Sequence, residues 1–272
     1  MPNIFSKTLN SQNRLEYLRF LTSRYSRRII GKFRSRSQSG YQFRHHKNLL
    51  LLLDKSSLVD RSIINDGSWE KVQYDYLMAA LDDLRKRGDC VFLDIGSYWG
   101  LYGLSAVKMA VPEVHLFEAE PHNRAQLYAQ LFLNKLEDKV TVHPYAVSDH
   151  EGVLNFRKST TINDGNRGSA GVIETPGTNT FPVQCRSLDS QFSWSGRYIV
   201  AKLDVEGAES SVLEGMAGLI ARNRVLMQIE VFDRNAEKIH EVANRLGLTF
   251  IRRIDVDDYF SNFDFHEPFG HE

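Results

Sequence analysis

VFLDIGSYWGLYG, residues 91–103, carries the strongest indication of fold in this chain of 272 residues. The apolar residues at its start are typical of a buried parallel strand, and the apolar residues from position 101 onward are typical of a helix. Asp94 and a glycine-bearing turn lie between them. A strand, a glycine turn and a helix in this order open a Rossmann-type unit, whose ligand lies beyond the carboxyl ends of the strands. We therefore expect Asp94 and the turn to face a ligand.

The spacing of the glycines bears on the kind of ligand. Dinucleotide sites use G-x-G-x-x-G, in which the second glycine lets the backbone approach a pyrophosphate. Here the glycines are Gly96, Gly100 and Gly103, and Tyr98 takes the place of the second one. A tyrosine crowds a pyrophosphate but tolerates a ligand without phosphates, such as S-adenosylmethionine (SAM). An ordinary strand–helix turn without a ligand is the alternative.

An acidic residue follows the second predicted strand of the unit. Glu118 comes directly after the apolar run 114–117 and lies 22 residues beyond Gly96. At this distance an acidic side chain accepts hydrogen bonds from the hydroxyl groups of a ribose. Predicted strands and helices continue to alternate after this point, which favours a doubly wound α/β sheet that is mostly parallel.

A second acidic cluster follows the apolar run 198–203. Asp204, Glu206 and Glu209 lie within six residues, at the same predicted end of the sheet as Asp94. They could serve as a general base, as ligands of a divalent cation or as contacts for the ammonium group of a cofactor. Glu209 alone is explained by the start of the next helix. We expect no metal site, because Asp204 and Glu206 alternate along the chain and need not converge on one ion.

Three further regions are candidates for contact with the ligand. Glu70 stands just before a predicted helix and could reach the ligand, or it could simply be an acid at the helix start. Asp149, or the backbone near Val147, is placed to meet an adenine amino group, although a turn aspartate is as consistent with the sequence. The polar stretch 158–180 is long for a loop in a compact domain, and we interpret it as a lid or a substrate-side insertion.

Charge is unevenly distributed, although the formal net charge of the chain is zero. Residues 1–50 hold eleven Lys and Arg and one acidic residue, so the remainder is acidic. We expect residues 1–47 to form a basic, partly helical or disordered extension that covers or docks on the domain formed by residues 48–272. Contact with nucleic acid or with an anionic surface, and targeting to an organelle, are alternatives for this extension.

Two cysteines, Cys90 and Cys185, lie in apolar runs and lack the spacing of metal ligands. They are typical of buried free thiols in a reducing compartment. The longest apolar run near the start, residues 49–53, is too short to span a bilayer. We therefore expect a cytoplasmic protein without an integral membrane segment.

The run Lys202-Leu203-Asp204-Val205-Glu206-Gly207-Ala208-Glu209 closely resembles the K-I-D-V-E-G-A-E signature of the FkbM-type methyltransferases. Residues 92–96 resemble that family's first motif, Phe117-Glu118 its ribose-binding strand end, and residues 142–152 its third-strand region. The likeness covers roughly residues 50–255. It implies the class I fold of SAM-dependent enzymes, a seven-stranded sheet that ends in an antiparallel hairpin. It also implies methyl transfer, usually to a hydroxyl oxygen of sugars, polyketides or related small molecules.

From the residues and the resemblance together, we expect a SAM-dependent O-methyltransferase. Asp204 and Glu206 are the candidate catalytic residues, and Asp204 with Glu230 could instead hold a divalent ion that lowers the pKa of the acceptor hydroxyl. The candidate cofactor-binding residues are Glu70, Asp94, Gly96, Tyr98, Gly100, Glu118, Ala119, Val147 and Asp149. A NAD-type oxidoreductase is disfavoured by Tyr98. A non-catalytic nucleotide- or glycan-binding protein is the alternative from another class.

Overall fold

The computed structural model describes residues 40–158, 165–173 and 177–266. Residues 1–39 of the predicted extension therefore lie outside the described residues. The strands are β1 (Tyr41–His46), β2 (Leu49–Asp54), β3 (Cys90–Ile95), β4 (Glu113–Phe117), β5 (Thr141–His143), β6 (Ala146–Val147), β7 (Gly152–Arg157), β8 (Thr180–Arg186), β9 (Tyr198–Leu203), β10 (Arg224–Glu230), β11 (Thr249–Ile254) and β12 (Asp257–Ser261). The α-helices are α1 (Leu58–Asp66), α2 (Lys71–Arg87), α3 (Leu101–Lys108), α4 (Pro121–Asn134), α5 (Leu188–Gln191), α6 (Glu209–Glu214), α7 (Ala217–Arg222) and α8 (Ala236–Arg245).

Seven strands form the central sheet, in the order β11-β12-β10-β9-β3-β4-β5. The five strands from β10 to β5 are parallel, whereas β12 is antiparallel to both β10 and β11. This mixed edge is the terminal antiparallel hairpin that the resemblance implied, and the mostly parallel seven-stranded sheet is confirmed. β3 lies in the middle because it pairs with β4 on one side and β9 on the other.

Both faces of the sheet are covered, which explains why every residue of β3 is buried. Successive residues of a strand point to opposite faces, and Phe92 and Leu93 accordingly belong to two different apolar clusters. The cluster on the Phe92 side includes side chains of α2, α3 and α4. The cluster on the Leu93 side includes side chains of α6, α7 and α8. These layers hold the carboxyl ends of the parallel strands in fixed positions.

The hairpin of β1 and β2 packs on α4 through an unusual set of hydrogen bonds. β1 pairs with one edge of β2. Three amide side chains, at successive turns of α4, form hydrogen bonds with the other edge. Leu50 donates to and accepts from the amide of Asn134, and the N–H of Leu52 donates to Gln130. The carbonyl of Leu52 accepts from the amides of both Gln126 and Gln130. Residues 40–47, which we had assigned to the extension, thus form the outer strand and turn of a hairpin fixed to the domain.

A smaller sheet, β6-β8-β7, stands beside the central one. The carbonyl of Gly171 and the N–H of Ile173 bond the backbone of β7 and hold the chain after residue 165 against this sheet. Ile63 and Ile64 lie in helix α1. Both cysteines are buried free thiols. Among the described residues, the structure has no helix with the length and apolar character needed to cross a bilayer.

Candidate active site

Four acidic side chains meet at one end of the central sheet. Asp94 is the fifth residue of β3, Glu118 follows β4, Asp204 follows β9 and Glu230 ends β10. They meet because β4, β3, β9 and β10 are neighbouring parallel strands with their carboxyl ends on the same side. The sequence predicted this convergence, and it creates the floor of two adjoining cavities.

The two cavities have empty volumes of about 530 and about 660 Å³, which include space open to solvent. We call the one that contains Glu118 the nucleoside cavity and the one that contains Lys202 the acidic cavity. Four residues line both cavities and form their common wall: Gly96, Tyr98, Gly168 and Asp204. A ligand that spans both cavities would therefore pass directly over the glycine turn.

The nucleoside cavity is largely apolar, and Glu118 and Asp204 contribute carboxyl groups to its lining. Its walls are formed by Phe117, Ala119, Tyr145, Ala146, Val147, Phe156 and Val172. Glu118 is buried, and its Oε1 accepts a hydrogen bond of 2.7 Å from the N–H of Glu120. Burial raises the pKa of Glu118 to about 8. Such a carboxyl has capacity left for the hydroxyl groups of a ribose, which would favour its ionised form.

The glycine turn is shaped by the protein's own packing. A Cβ at Gly96 would lie 1.8 Å from the carbonyl oxygen of Asp204, and Gly96 has a φ of +81°. Gly100 starts α3, and a Cβ there would lie 2.5 Å from Leu127 of α4. Both glycines are among the candidate cofactor-binding residues. Gly96 lines both cavities, whereas Gly100 lines neither and is required by its neighbours in the core.

Tyr98 departs from the glycine pattern, and the structure shows why. Its hydroxyl lies 2.8 Å from the hydroxyl of Ser57, and its ring packs under the guanidinium of Arg167. The next residue, Trp99, donates its indole N–H to Asp60. Both aromatic side chains thus tie the turn to α1, which leaves the backbone of the turn exposed to the cavities.

The acidic cavity combines five carboxyl groups with a single lysine. The acids are Glu70, Asp94, Asp204, Glu206 and Glu230, and the cation is Lys202. Aromatic walls come from Trp69, Trp99 and Tyr102. Because the cavity holds more acidic than basic groups, it is a poor environment for an anionic ligand.

Lys202 connects the acids to one another. Its Nζ lies 2.6 Å from Asp204 Oδ2 and 3.9 Å from Glu70 Oε2, and the residue is 5% exposed. Burial alone lowers the pKa of Lys202, but Asp204 and Glu70 raise it well above its usual value. The lysine is therefore a permanent cation at neutral pH.

The other carboxyl groups of this cavity have raised pKa values. Burial raises the pKa of Asp94 to about 6 and that of Glu206 to about 7. Burial, with Asp204 as the next cause, also raises the pKa of Glu230. Asp94 accepts the N–H of Gly103, so it also holds the start of α3. The site thus contains carboxyl groups that can gain or lose a proton near neutral pH.

Asp204, Glu206 and Glu230 converge more closely than we expected. One oxygen of each lies within 4.8 Å of the others, so the three could hold a cation. This finding removes our reason for expecting no metal site, namely that Asp204 and Glu206 need not converge. Lys202 already occupies one oxygen of Asp204 and supplies positive charge there. Glu209 belongs to the structure of α6, because it accepts the N–H of Gly207 and an amide hydrogen of Asn235.

Three residues of the site have left-handed backbone conformations. Glu70, Tyr98 and Glu206 have φ values of +46°, +53° and +57°, although none is glycine. Each such residue costs of order 1–3 kcal/mol, and such strain concentrates at functional sites. Glu70 also accepts a hydrogen bond of 3.0 Å from the hydroxyl of Tyr102. These three residues line the acidic cavity, so their strained backbone supports a functional role for this cavity.

The predicted lid region contributes directly to both cavities. We call its described part, residues 165–173, the cover segment. Gly168, Ala170 and Val172 line the nucleoside cavity, and Asn166 and Gly168 line the acidic cavity. The cover segment is held down by Arg167, which is buried and bonds Gln126 at 2.6 Å. The sequence indicated a functional loop but not which of its residues would face the site.

Asp149 is placed differently from the other candidates. Its side chain is about half exposed and bonds His150 and Ser148. Val147 lines the nucleoside cavity, whereas Asp149 is not among the lining residues in the described part of the chain. Of the two possibilities we gave for an adenine contact, the geometry favours the chain near Val147.

Several lining residues were not predicted from the sequence, among them Ser97, Asn123 and Lys202. Lys202 had a detectable signal, because residues two apart on a strand share a face and Lys202 precedes Asp204 by two. Ser97 Oγ and Asn123 Oδ1 are buried and have no hydrogen-bond partner in the described chain. Buried polar atoms normally have partners, so these two point to a bound ligand.

The site fits the chemical groups of SAM. A carboxyl group suits the ribose, an apolar slot suits the adenine, and carboxyl groups suit the ammonium group and the sulfonium. Two unpaired buried atoms, Ser97 Oγ and Asn123 Oδ1, provide further hydrogen-bonding capacity. The residues that would hold the cofactor are thus present along both cavities.

Comparison with known proteins identifies the sequence family. The family described as methyltransferase FkbM domain matches residues 94–264, more than half of the chain. No curated protein matches the sequence. The fold is similar to that of the human methyltransferase 10 domain containing protein, with 11% identity, a TM-score of 0.46, and 88% of this chain and 97% of that chain covered.

Two microbial structures are also similar. A ribosomal protein methylase from Lactobacillus delbrueckii subsp. bulgaricus has 11% identity and a TM-score of 0.43, with 71% of this chain and 79% of that chain covered. TYW2 of M. jannaschii in complex with AdoMet has 10% identity and a TM-score of 0.41, with 83% of this chain and 85% of that chain covered.

Proposed function

The chain belongs to the methyltransferase FkbM domain family and is a SAM-dependent methyltransferase, and we propose that its acceptor is a hydroxyl group of a sugar, a glycan or another small natural product. When bound, SAM supplies a methyl group on a positively charged sulfur. The observation that supports an acceptor hydroxyl is that Asp204 lies in the wall shared by the two cavities. A carboxylate there can reach both the cofactor and the acceptor.

In this proposal the nucleoside cavity holds the adenosine part of the cofactor. Glu118 accepts hydrogen bonds from the ribose hydroxyls, and Ala119 and Val147 flank the adenine. Glu70 and Asp94 lie in the acidic cavity, beyond the shared wall, where they face the ammonium group of the methionine part. The buried hydroxyl of Ser97 offers a hydrogen bond to the same part of the cofactor.

The rest of the acidic cavity is proposed as the acceptor site. Its aromatic walls and its carboxyl groups suit a neutral, hydroxyl-rich molecule, because carboxylates accept hydrogen bonds from hydroxyls. Phosphorylated acceptors and nucleic acids are disfavoured, since five carboxyl groups face one lysine. The cavity therefore supports small neutral acceptors over anionic ones.

Asp204 is the proposed general base. Methyl transfer to a hydroxyl requires removal of the hydroxyl proton, and a positioned carboxylate can remove it. Lys202 donates to one oxygen of Asp204, Oδ2, and thereby orients the carboxylate. Glu206, whose pKa burial raises to about 7, can hold a proton beside Asp204 at neutral pH.

The test measures transfer of labelled methyl groups from SAM to four acceptor pools: neutral sugars, neutral oligosaccharides, phosphorylated sugars and RNA. We expect label in a neutral pool, and we expect Asp204→Asn to reduce it about 10²–10⁴-fold while SAM still binds. Asp233→Asn, an exposed acid outside the cavities, is the matched control. Label only in RNA or phosphorylated sugars would overturn the acceptor class. Transfer by Asp204→Asn at the native rate would overturn the role of Asp204.

A further inference from the structure

Asn123 lies in the lining of the nucleoside cavity and has a buried hydrogen-bond acceptor without a partner. It is the third residue of α4, lines the cavity and is 2% exposed. Its amide Nδ2 donates to the carbonyl of Arg167 in the cover segment, at 3.2 Å. This bond orients the amide group, and Oδ1 is left buried without a partner.

The local structure does not need this side chain to start the helix. Glu120 is the N-cap residue of α4, and its carboxylate accepts the backbone N–H of Asn123 at 2.7 Å. Because Glu120 caps the helix, the side chain of Asn123 is not needed for capping, and its Oδ1 can accept a hydrogen bond from a ligand. An unpaired buried acceptor is destabilising, and a hydrogen-bond donor on a ligand would remove this cost.

We propose that Asn123 is a further cofactor-binding residue, whose Oδ1 accepts a hydrogen bond from the adenosine part of SAM. Two kinds of donor in adenosine fit this acceptor, the 6-amino group of the adenine and a hydroxyl of the ribose. The inference rests on the assignment of SAM to the nucleoside cavity. It assigns Asn123 the second polar contact in a slot where Glu118 provides the first.

The same amide joins the cofactor to the cover segment. Nδ2 donates to the carbonyl of Arg167. The guanidinium of Arg167 bonds Gln126, which lies about one helical turn after Asn123 on α4. An amide that donates to the cover segment and accepts from the cofactor orders both at once. Asn123 therefore contributes to affinity through its acceptor and to the geometry of the cavity through its donor.

The experiment is a calorimetric titration of S-adenosylhomocysteine into the full chain, its Asn123→Ala variant and a control, Asn134→Ala. Asn134 lies on the same helix but bonds β2 and not the cavity. We expect Asn123→Ala to weaken binding about ten-fold, the effect of one lost hydrogen bond of about 1.4 kcal/mol, and the control to bind normally. If Asn123→Ala does not fold, Asn123→Ser provides the comparison.

Titrations with analogues of S-adenosylhomocysteine identify the donor and separate a direct contact from a structural effect. S-inosylhomocysteine lacks the 6-amino group, and the 2′-deoxy and 3′-deoxy forms of S-adenosylhomocysteine each lack one hydroxyl. The analogue without the relevant donor should bind the native protein more weakly, yet bind Asn123→Ala as well as the parent ligand does. Equal affinity of the native protein and Asn123→Ala for the parent ligand would overturn the inference, as would weakening by the same factor with every analogue. Failure of the native protein to bind the parent ligand would overturn the cofactor assignment instead.

Discussion

Lys202 is the residue on which the charge balance of the acidic cavity depends. It is buried between Asp204 and Glu70 and is the only basic residue among those that line this cavity in the described chain. A buried ion pair contributes little over an apolar alternative, but the loss of one partner leaves the other charge uncompensated. Lys202 is thus required to compensate the negative charge of the neighbouring carboxyl groups.

We predict that Lys202→Met destabilises the protein by about 3–5 kcal/mol at pH 8, the usual cost of breaking a buried pair. The cost should be smaller at pH 5, because burial raises the pKa of Asp94 to about 6 and that of Glu206 to about 7, and protonated carboxyl groups no longer need the cation. In the native protein the raised pKa of Lys202 makes its stabilising contribution complete below about pH 10, the unfolded-state value, and lost only above it.

Urea denaturation of Lys202→Met at both pH values provides the measurement. Lys108→Met, which removes an exposed lysine, is the control and should stay within about 0.5 kcal/mol of the native protein. A loss of stability that is equal at pH 5 and pH 8 would show that packing, and not charge, is what Lys202 supplies.

At the level of single residues, the sequence predicted those acids that follow directly from the end of a strand. Glu118 and Asp204 were placed by this rule. Asn123 and Ser97 were not, because their roles depend on where a side chain points after the helix and the turn have packed. Asp149 is a case where proximity in sequence to the third strand region did not lead to a place in the cavity lining.

The glycine turn between β3 and α3 is the element on which the site is built. Gly96 permits the end of β3 to meet the end of β9, since its missing Cβ would lie 1.8 Å from the carbonyl oxygen of Asp204. The N–H of Asp204 also bonds the carbonyl of Ile95 at 3.0 Å. The turn therefore positions Asp204 directly, and this use of the glycine could not be read from its spacing.

We predict that Gly96→Ala destabilises the protein by at least about 3 kcal/mol, because overpacking and a left-handed φ both oppose the side chain. Two controls separate these causes. Gly207 has a φ of +106° with open space around it, so Gly207→Ala should cost about 1 kcal/mol. Gly177 also has open space around it, but its φ is not in the left-handed region. Gly177→Ala should therefore change the free energy of unfolding by no more than about 0.5 kcal/mol. Denaturant midpoints measure all three, and equal stability of Gly96→Ala and Gly177→Ala would contradict the close approach.

For the whole molecule, the alternation of strands and helices predicted the layered fold and its parallel centre. The pairing of β1 with β2 was not predicted, since β1 fell in the basic segment and the hairpin packs on the amide side chains of α4. Such side-chain-to-edge bonds leave no periodic signal in the sequence. The same holds for the cover segment, whose composition indicated a loop but whose contacts depend on the buried Arg167.

The first 50 residues of the chain are basic, and the rest is acidic. The basic residues of the predicted extension are concentrated before residue 50, and the described domain contains the acidic cavity. The extension stays a prediction for residues 1–39, which lie outside the described residues. Residues 40–47 show that the domain's own structure begins at least as early as β1.

The cofactor assignment is tested by calorimetric titration of SAM into the native protein, Glu118→Ala and the control Glu137→Ala, an exposed acid. We predict that the native protein and the control bind SAM alike and that neither binds NAD. Glu118→Ala should bind SAM more weakly by about 1.5–3 kcal/mol, the range for a hydrogen bond to a charged group, without loss of folding. Native affinity for SAM in Glu118→Ala, or binding of NAD in place of SAM, would contradict the assignment of the nucleoside cavity to SAM.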